Sequence, residues 1–446
     1  MQPLGILFGA AFTCAVSLAL GGLLLRDACR DPGVRFVTGA AALSLLVCAL
    51  CGAGLVYPLL FLAMGAAVLV GRTPWSARVP LDPQADGGVV REPGGPPHMR
   101  WLWGIAFGMY LVLYLANAMA PEISPDGSGY HLGLVSRYLR EHGFVRITDN
   151  LYAAMPAGVE MLFLFAFAFG KHSAAALVHF AFLLALVWQV FSYARRRGFP
   201  VAGASAALLI FASPVAGIDG TSAYNDVAVA AIAFTLFHLL EIWDEKRNPR
   251  LLASIGLVAG FAFAAKYTAW PAVAYAVGFV LAKNRKAVLP VAACAALVIA
   301  PWLLKNWIYL DNPVAPFFNR QFPNPYVMTG FEDIYRRMMA MYQLKSRWEI
   351  PMQVTTYGSV SGLLGPVFLL APLGLMALRR KEGRHLWLAA LVFSVNYFSN
   401  IAARFLIPPM PFVALALALA LSAVPCMPFM AAGRPGRPFP AVRAGC

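Results

Sequence analysis

The chain has 446 residues, 60% of them hydrophobic and only 12% charged. An ordinary soluble domain is about 45–50% apolar and about 25% charged, so this composition excludes a water-soluble globule and asks for a bilayer as solvent. A net charge of +15 would suggest nucleic acid as partner in a soluble protein. Here the basic residues stand in short clusters between apolar runs, the footprint of cytoplasmic loops under the positive-inside rule, and no nucleic-acid partner is expected.

In chain order, the first apolar run, Leu4–Leu25, lacks a positive n-region and an A-x-A-like cleavage site, so it reads as a retained span and not as a signal peptide. Val37–Val70 is long enough for a hairpin of two short helices broken near Gly52 and Pro58. A Pro/Gly-rich stretch, Arg72–Arg100, then reads as a flexible cytoplasmic linker that closes an N-terminal unit, residues 1–100. A spanning helix needs roughly 20 residues, with about 17 as a lower limit. The candidates that follow are Trp101–Met119, Ala174–Ala194, Val201–Pro214, Val227–Trp243, Leu251–Ala265, Pro271–Ala282, Ala287–Leu304, Gly358–Leu378, Leu386–Ser399 and Phe405–Val424. The expectation is an all-α, polytopic transmembrane protein of about 12–13 spans, with its main domain over residues 101–424 and a disordered, Pro/Arg-rich cytoplasmic tail over 425–446. The seven cysteines show no metal-ligand spacing.

Charge fixes the orientation. Arg195–Arg197, Lys246–Arg250, Lys283–Lys286 and Arg379–Arg384 should all face the cytoplasm. The helix ending at Ala194 then runs inward, which puts the segment from Pro121 to about Ser173 outside. Within it, the apolar stretch Val159–Phe169 is too short for a span and reads as a juxtamembrane or re-entrant helix of the outer face. The same count places Ala216–Asp226, Lys266–Trp270, Lys305–Met352 and Asn400–Arg404 outside.

The outer loops hold the residues with chemical potential. The first reads Pro-Glu-Ile-Ser-Pro-Asp-Gly-Ser-Gly-Tyr-His-Leu, residues 121–132. Asp126 there could act as a general base or hold a divalent cation, or it could simply end a helix in water. Asp226 stands where the chain re-enters as a helix, suited to an N-cap, although an acid entering a membrane helix is costly and more often functional. Lys266 ends another helix against the positive-inside bias, where it snorkels or meets a phosphate head group. Lys305 and Asn306 are expected to leave the membrane into a loop whose Trp302, Trp307 and Tyr309 suit an interfacial aromatic belt. Arg404 lies between the last two spans, where it could pair with phosphate or with an acid. Of the histidines, only His131 adjoins the acidic loop; the others are scattered without ligand-pair spacing.

Taken in order, these features resemble the GT-C glycosyltransferases, the polytopic class that includes protein mannosyltransferases, oligosaccharyltransferases and lipid A aminoarabinose transferases. Among bacterial branches the sequence is most similar to the one called RgtA/B/C/D-like. The likeness runs from about Trp101 to Asn319, and more weakly on to Val424. It rests on Asp126 followed by Tyr130-His131-Leu132, a short helix introduced by Tyr152-Ala-Ala-Met-Pro156, the Tyr224-Asn-Asp226 corner, the Lys266-Tyr267-Thr268 helix end, and a Pro-Trp…Asn306…Asn-Pro exit. The resemblance implies transfer of a sugar from a polyprenyl-phosphate donor to a glycan, lipid or protein acceptor at the periplasmic face of a bacterial inner membrane. Asp126 would be the base or metal-organising carboxylate and Asp226 the second acid. Lys266 would lie near the donor phosphate, with Tyr130, His131, Tyr267, Asn306 and Arg404 around the substrates. A divalent ion, Mg or Mn, would be held by Asp126 and Asp226. The sequence departs from the aminoarabinose transferases at Ala154-Met155, where they carry Glu-Lys, so that phosphate contact is either missing or supplied elsewhere, by Lys266 or Arg404. A lipid-linked oligosaccharide flippase or transporter, and an O-antigen polymerase-like protein, are the alternative readings.

Overall fold

The computed structural model describes residues 2–71, 97–339 and 344–422; most of the Pro/Gly-rich linker and all of the Pro/Arg-rich tail lie outside them. Among the described residues every regular element is a helix, and the chain is an all-helical, polytopic protein.

The N-terminal hairpin forms where the punctuation puts it. Helix α1 covers Gln2–Leu25. Asp31 caps α2 (Pro32–Gly52) by accepting the Val34 N–H at 3.1 Å, and Pro32 occupies the first turn, where its missing donor costs nothing. Gly54, at φ 72°, turns the chain, and Pro58 opens α3 (Pro58–Val70). Helix α4 (Pro97–Met119) leads to the acidic loop and α5 (Leu132–Arg140).

Gly158–Arg196 (α6) comprises two helices separated at Lys171 (φ 58°, ψ −150°), the short one expected over Val159–Phe169 and the span that follows it. Val159 through Ala166 of the short helix are buried in the bundle. Glycines make this possible. Gly5 and Gly9 of α1 form a G-x-x-x-G pair, and a Cβ on either would come within 2.9 Å and 2.6 Å of the Phe169 and Ala166 carbonyl oxygens, so the two backbones touch. Gly256 and Gly260 repeat the device between α10 (Arg250–Ala265) and α12 (Val288–Leu310), against Val291 and Ala295.

Among the described residues six helices are long and apolar enough to cross a bilayer, seven if α7 (Pro200–Phe211) and α8 (Pro214–Thr221), bent by 66°, form one crossing. The remaining apolar helices are shorter than a full span, so about half of the expected 12–13 elements have full length. The C-terminal region shows why. Gly358, Ser361, Gly362 and Gly365 all take positive φ, and Pro366 and Pro372 remove backbone donors. In place of an α-helix over Gly358–Leu378 there is a turn and a tightly wound 3₁₀ segment, Pro366–Arg379. At about 2.0 Å per residue its 14 residues still reach close to the ~30 Å thickness of the hydrocarbon core.

Helix α9 (Asp226–Lys246) is the axis: its apolar window is 100% buried, whereas that of α4 is only 6% buried. The large exposed residues of α4, among them Trp101, Ile105, Met109 and Val112, form an apolar face suited to lipid and not to water. The four basic clusters gather at the Lys246 end of α9. Arg197 bonds Glu241 and Glu245, Lys283 bonds Asp244 at 2.9 Å, and Arg380 lies over Phe199 beside them. Asp226 and its neighbours occupy the opposite end. The basic clusters thus lie together at one end of the bundle and the Asp226 corner at the other.

Candidate functional site

The site is assembled where four segments meet at the Asp226 end of α9. The loop after α4 is the first. Its Glu122 accepts from the Ser124 N–H (2.9 Å) and hydroxyl (2.6 Å) with one oxygen, and from the Ala223 N–H (2.8 Å) with the other. Glu122 is thus a strut between the first acidic loop and the corner before Asp226. A Cβ on Gly127 would lie 2.4 Å from the Glu122 carboxyl carbon, so the loop needs glycine there. The chain then passes through a wide turn, Gly127–His131, into α5.

Asp126 projects from this loop and accepts from the Arg404 guanidinium at 2.6 Å, each side chain 33% exposed. Asp226 accepts from the Lys266 ammonium at 2.5 Å and is only 4% exposed. The two ion pairs share one ring: the Lys266 nitrogen lies 4.9 Å and the Arg404 guanidinium carbon 5.7 Å from the centroid of Phe405. Both cations are therefore held by a carboxylate and by a π-face. Burial works against the charge on Arg404, but the carboxylates of Asp226 and Asp126 outweigh it and hold the guanidinium above its ordinary pKa. The Arg404 Nε–H is buried without an acceptor, an unfilled donor aimed into a cationic site.

Asp226 is not an N-cap. It is the first residue of α9, and the cap comes from Asp219, whose carboxylate accepts the Val227 N–H at 2.8 Å. His179 completes the corner, donating to the Ser222 carbonyl at 2.9 Å and accepting from the Ala228 N–H at 3.2 Å.

His131 is buried behind Tyr130. Its Nδ1 lies 2.5 Å from Glu160, and Asn225 donates to the same Glu160 oxygen at 3.2 Å. Tyr130 stacks on Tyr152 at 4.2 Å. Burial, then the nearby Asp126 carboxylate, pushes the Tyr130 phenol above its usual range, so it stays a neutral donor.

Six of the expected residues, Asp126, Tyr130, His131, Asp226, Lys266 and Arg404, thus converge. Tyr267 and Asn306 form an adjoining clamp. Asn306 donates to the carbonyls of Ala154 (2.7 Å) and Ala315 (3.3 Å) and to the Tyr267 hydroxyl (3.2 Å), and Tyr267 donates to Ala315. Lys305 holds Ala153 at 2.6 Å. Neither Lys305 nor Asn306 has left its helix, because α12 continues to Leu310. The sequence reading passed over Glu160, Asn225, Asp219 and Phe405. Glu160 carried a signal, as a lone carboxylate inside an apolar run.

For a metal, the arrangement fits poorly. Asp126 and Asp226 each spend an oxygen on a cation, Glu122 is committed to backbone donors, and among the described residues no group of three or more His, Cys, Asp or Glu side chains could hold an ion. No step below is routed through one. Beside Asp226, a small crevice of about 20 Å³ is lined by Val229, Ala269, Pro271, Phe393, Phe405 and Pro408 together with the polar Thr268 and Asn396. A cavity of about 350 Å³ at the opposite, basic end is bordered by Asp31, Arg196, Arg197 and Glu241, whose charges are paired among themselves.

A family model described as a domain of unknown function (DUF8201) matches residues 96–328, just over half of the chain. No curated protein and no solved structure matches. The matched segment runs from the start of α4 past α12, so it contains every residue of the site except Arg404 and Phe405.

Proposed function

We propose that this chain, which belongs to the DUF8201 family, is a membrane glycosyltransferase of GT-C type. In this reading it moves a sugar from a polyprenyl-phosphate donor to a hydroxyl of a glycan, lipid or protein acceptor. The observation that carries the reading is the convergence of Arg404 and Lys266 on Phe405, each held by a carboxylate from a different loop. Two adjacent cations at one end of an apolar helical bundle suit a ligand with a phosphate head and a hydrocarbon tail.

The chemistry follows from charge. When the glycosidic carbon leaves a phosphodiester, the departing lipid phosphate gains a second negative charge. Positioned cations stabilise that charge more in the transition state than in the bound donor. Arg404 offers a planar fork with an unused N–H, and Lys266 a point charge. In place of the base or metal-organising role expected of Asp126, this reading gives it the task of holding Arg404 in position. Asp226 does the same for Lys266. The stacked Tyr130 and Tyr152 rings offer an aromatic wall for the sugar. Under the positive-inside rule the basic face is cytoplasmic, which puts the site on the periplasmic side of a bacterial inner membrane, at head-group depth.

The test is transfer of radiolabel from undecaprenyl-phosphate sugars (mannose, glucose, galactose) in proteoliposomes containing the wild-type chain or Asp126→Asn. The expected result is transfer by the wild type and a loss of roughly 100- to 1,000-fold in the variant, the scale on which one positioned charge-stabilising group acts. Solute uptake without any glycosyl product would instead identify a transporter.

A further inference from the structure

With Asp126 committed to Arg404, the site needs another group to accept the proton of the attacking hydroxyl. We propose that His131, oriented by the buried Glu160, is that general base; the inference rests on the glycosyl-transfer reading and completes its acceptor side.

The pair is built as a carboxylate–imidazole dyad. His131 is 2% and Glu160 5% exposed at the side chain, with Nδ1 and Oε1 2.5 Å apart. A carboxylate on Nδ1 fixes the tautomer in which that nitrogen carries the proton, and leaves the Nε2 lone pair free. Among the described residues, Nε2 makes no hydrogen bond. The ring sits between Tyr130 (4.0 Å) and Tyr224 (5.8 Å).

The dyad is wired to the Asp226–Lys266 pair. Asn225, which precedes Asp226, donates to Glu160 and to the carbonyl of Ala265, which precedes Lys266. One asparagine therefore sets Glu160 in register with the acid and the base of the neighbouring pair. The second Glu160 oxygen is buried without a partner. An unsatisfied carboxylate oxygen is costly, and a strut needing only shape would not retain it.

The step balances. The acceptor oxygen bonds to the anomeric carbon as its proton passes to His131 Nε2. The carbon–oxygen bond to phosphate breaks, and its electron pair leaves with the polyprenyl phosphate, between Arg404 and Lys266. The imidazolium, steadied by Glu160, then gives the proton to water.

The test compares wild type, His131→Gln and Glu160→Gln in proteoliposomes with the same undecaprenyl-phosphate sugars, alongside binding of undecaprenyl phosphate itself. His131→Gln should lower single-turnover transfer roughly 100- to 10,000-fold, the span of general-base catalysis, while binding undecaprenyl phosphate as the wild type does. Glu160→Gln keeps an acceptor for Nδ1 but loses the negative charge that steadies the imidazolium, so it should transfer more slowly than the wild type and faster than His131→Gln. Nitrogen NMR of histidine-labelled wild type in nanodiscs should show His131 with Nδ1 protonated and Nε2 bare. Transfer unchanged in His131→Gln, or a proton on Nε2, overturns the dyad while leaving glycosyl transfer standing. No turnover of any donor by the wild type overturns the transfer reading instead, and the role of base with it.

Discussion

At the scale of single residues, the site is a balance of charges, and removing one member exposes another. Asp226 is 4% exposed and bonded to Lys266. Truncating one partner of a buried pair leaves the other uncompensated, at a cost of about 3–5 kcal/mol. Lys266→Met should therefore destabilise the protein markedly in detergent melting, and adding Asp226→Asn should recover much of the loss while transfer stays abolished. A double variant no more stable than the single one would show that the pair does not carry this energy. Arg404→Lys keeps the charge but loses the fork and the unused N–H. It should reduce transfer roughly 100-fold at nearly unchanged stability, measured by initial rates and by melting. Residue identities were readable in the sequence where a polar group interrupts an apolar run or ends a helix, as with Asp126, Asp226 and Lys266. The partnerships were not. Arg404 reaches Asp126 across 278 positions of sequence, and nothing local distinguishes the ring of Phe405 from its lipid-facing counterparts. Glu160 was legible in principle, but its run was read for length and not for the one carboxylate inside it.

At the scale of elements, packing depends on small residues at backbone crossings. A Cβ on Gly39 would fall 1.7 Å from the Ser17 carbonyl oxygen, and one on Gly9 would lie 2.6 Å from that of Ala166. Gly39→Val should separate α1 from α2 at a cost of at least about 1–3 kcal/mol, the usual penalty of overpacking. Gly52→Val meets nothing within 4 Å and should be tolerated at its own site. Detergent melting of the two variants checks the contrast; equal effects would contradict the close approach. Existence and order of the helices followed from apolar runs and from Pro and Gly punctuation, as at Gly52–Pro58. So did the break at Lys171 between the short helix and the span that follows it. Helix type did not. The 3₁₀ segment Pro366–Arg379 replaces a span because prolines and positive-φ turns act together.

At the scale of the whole molecule, charge sorts the bundle into two faces. The basic clusters meet the acidic ends of α9 and its neighbours, and the ion-paired site opens at the other end. Single cysteines introduced by Asp126→Cys and Lys283→Cys in a cysteine-free background should react with impermeant reagents from opposite sides of the membrane. Reaction from the same side would undo the topology. The central claim is that Lys266 and Arg404 together receive a lipid phosphate. Its most direct measurement is the affinity of the purified protein in nanodiscs for undecaprenyl phosphate and for undecaprenol. The account predicts that the phosphate binds at least about tenfold more tightly to the wild type, a difference of roughly 1.4 kcal/mol, and that Lys266→Met and Arg404→Lys each erode this preference. Equal binding of phosphate and alcohol by the wild type, or a preference untouched by both substitutions, would contradict it.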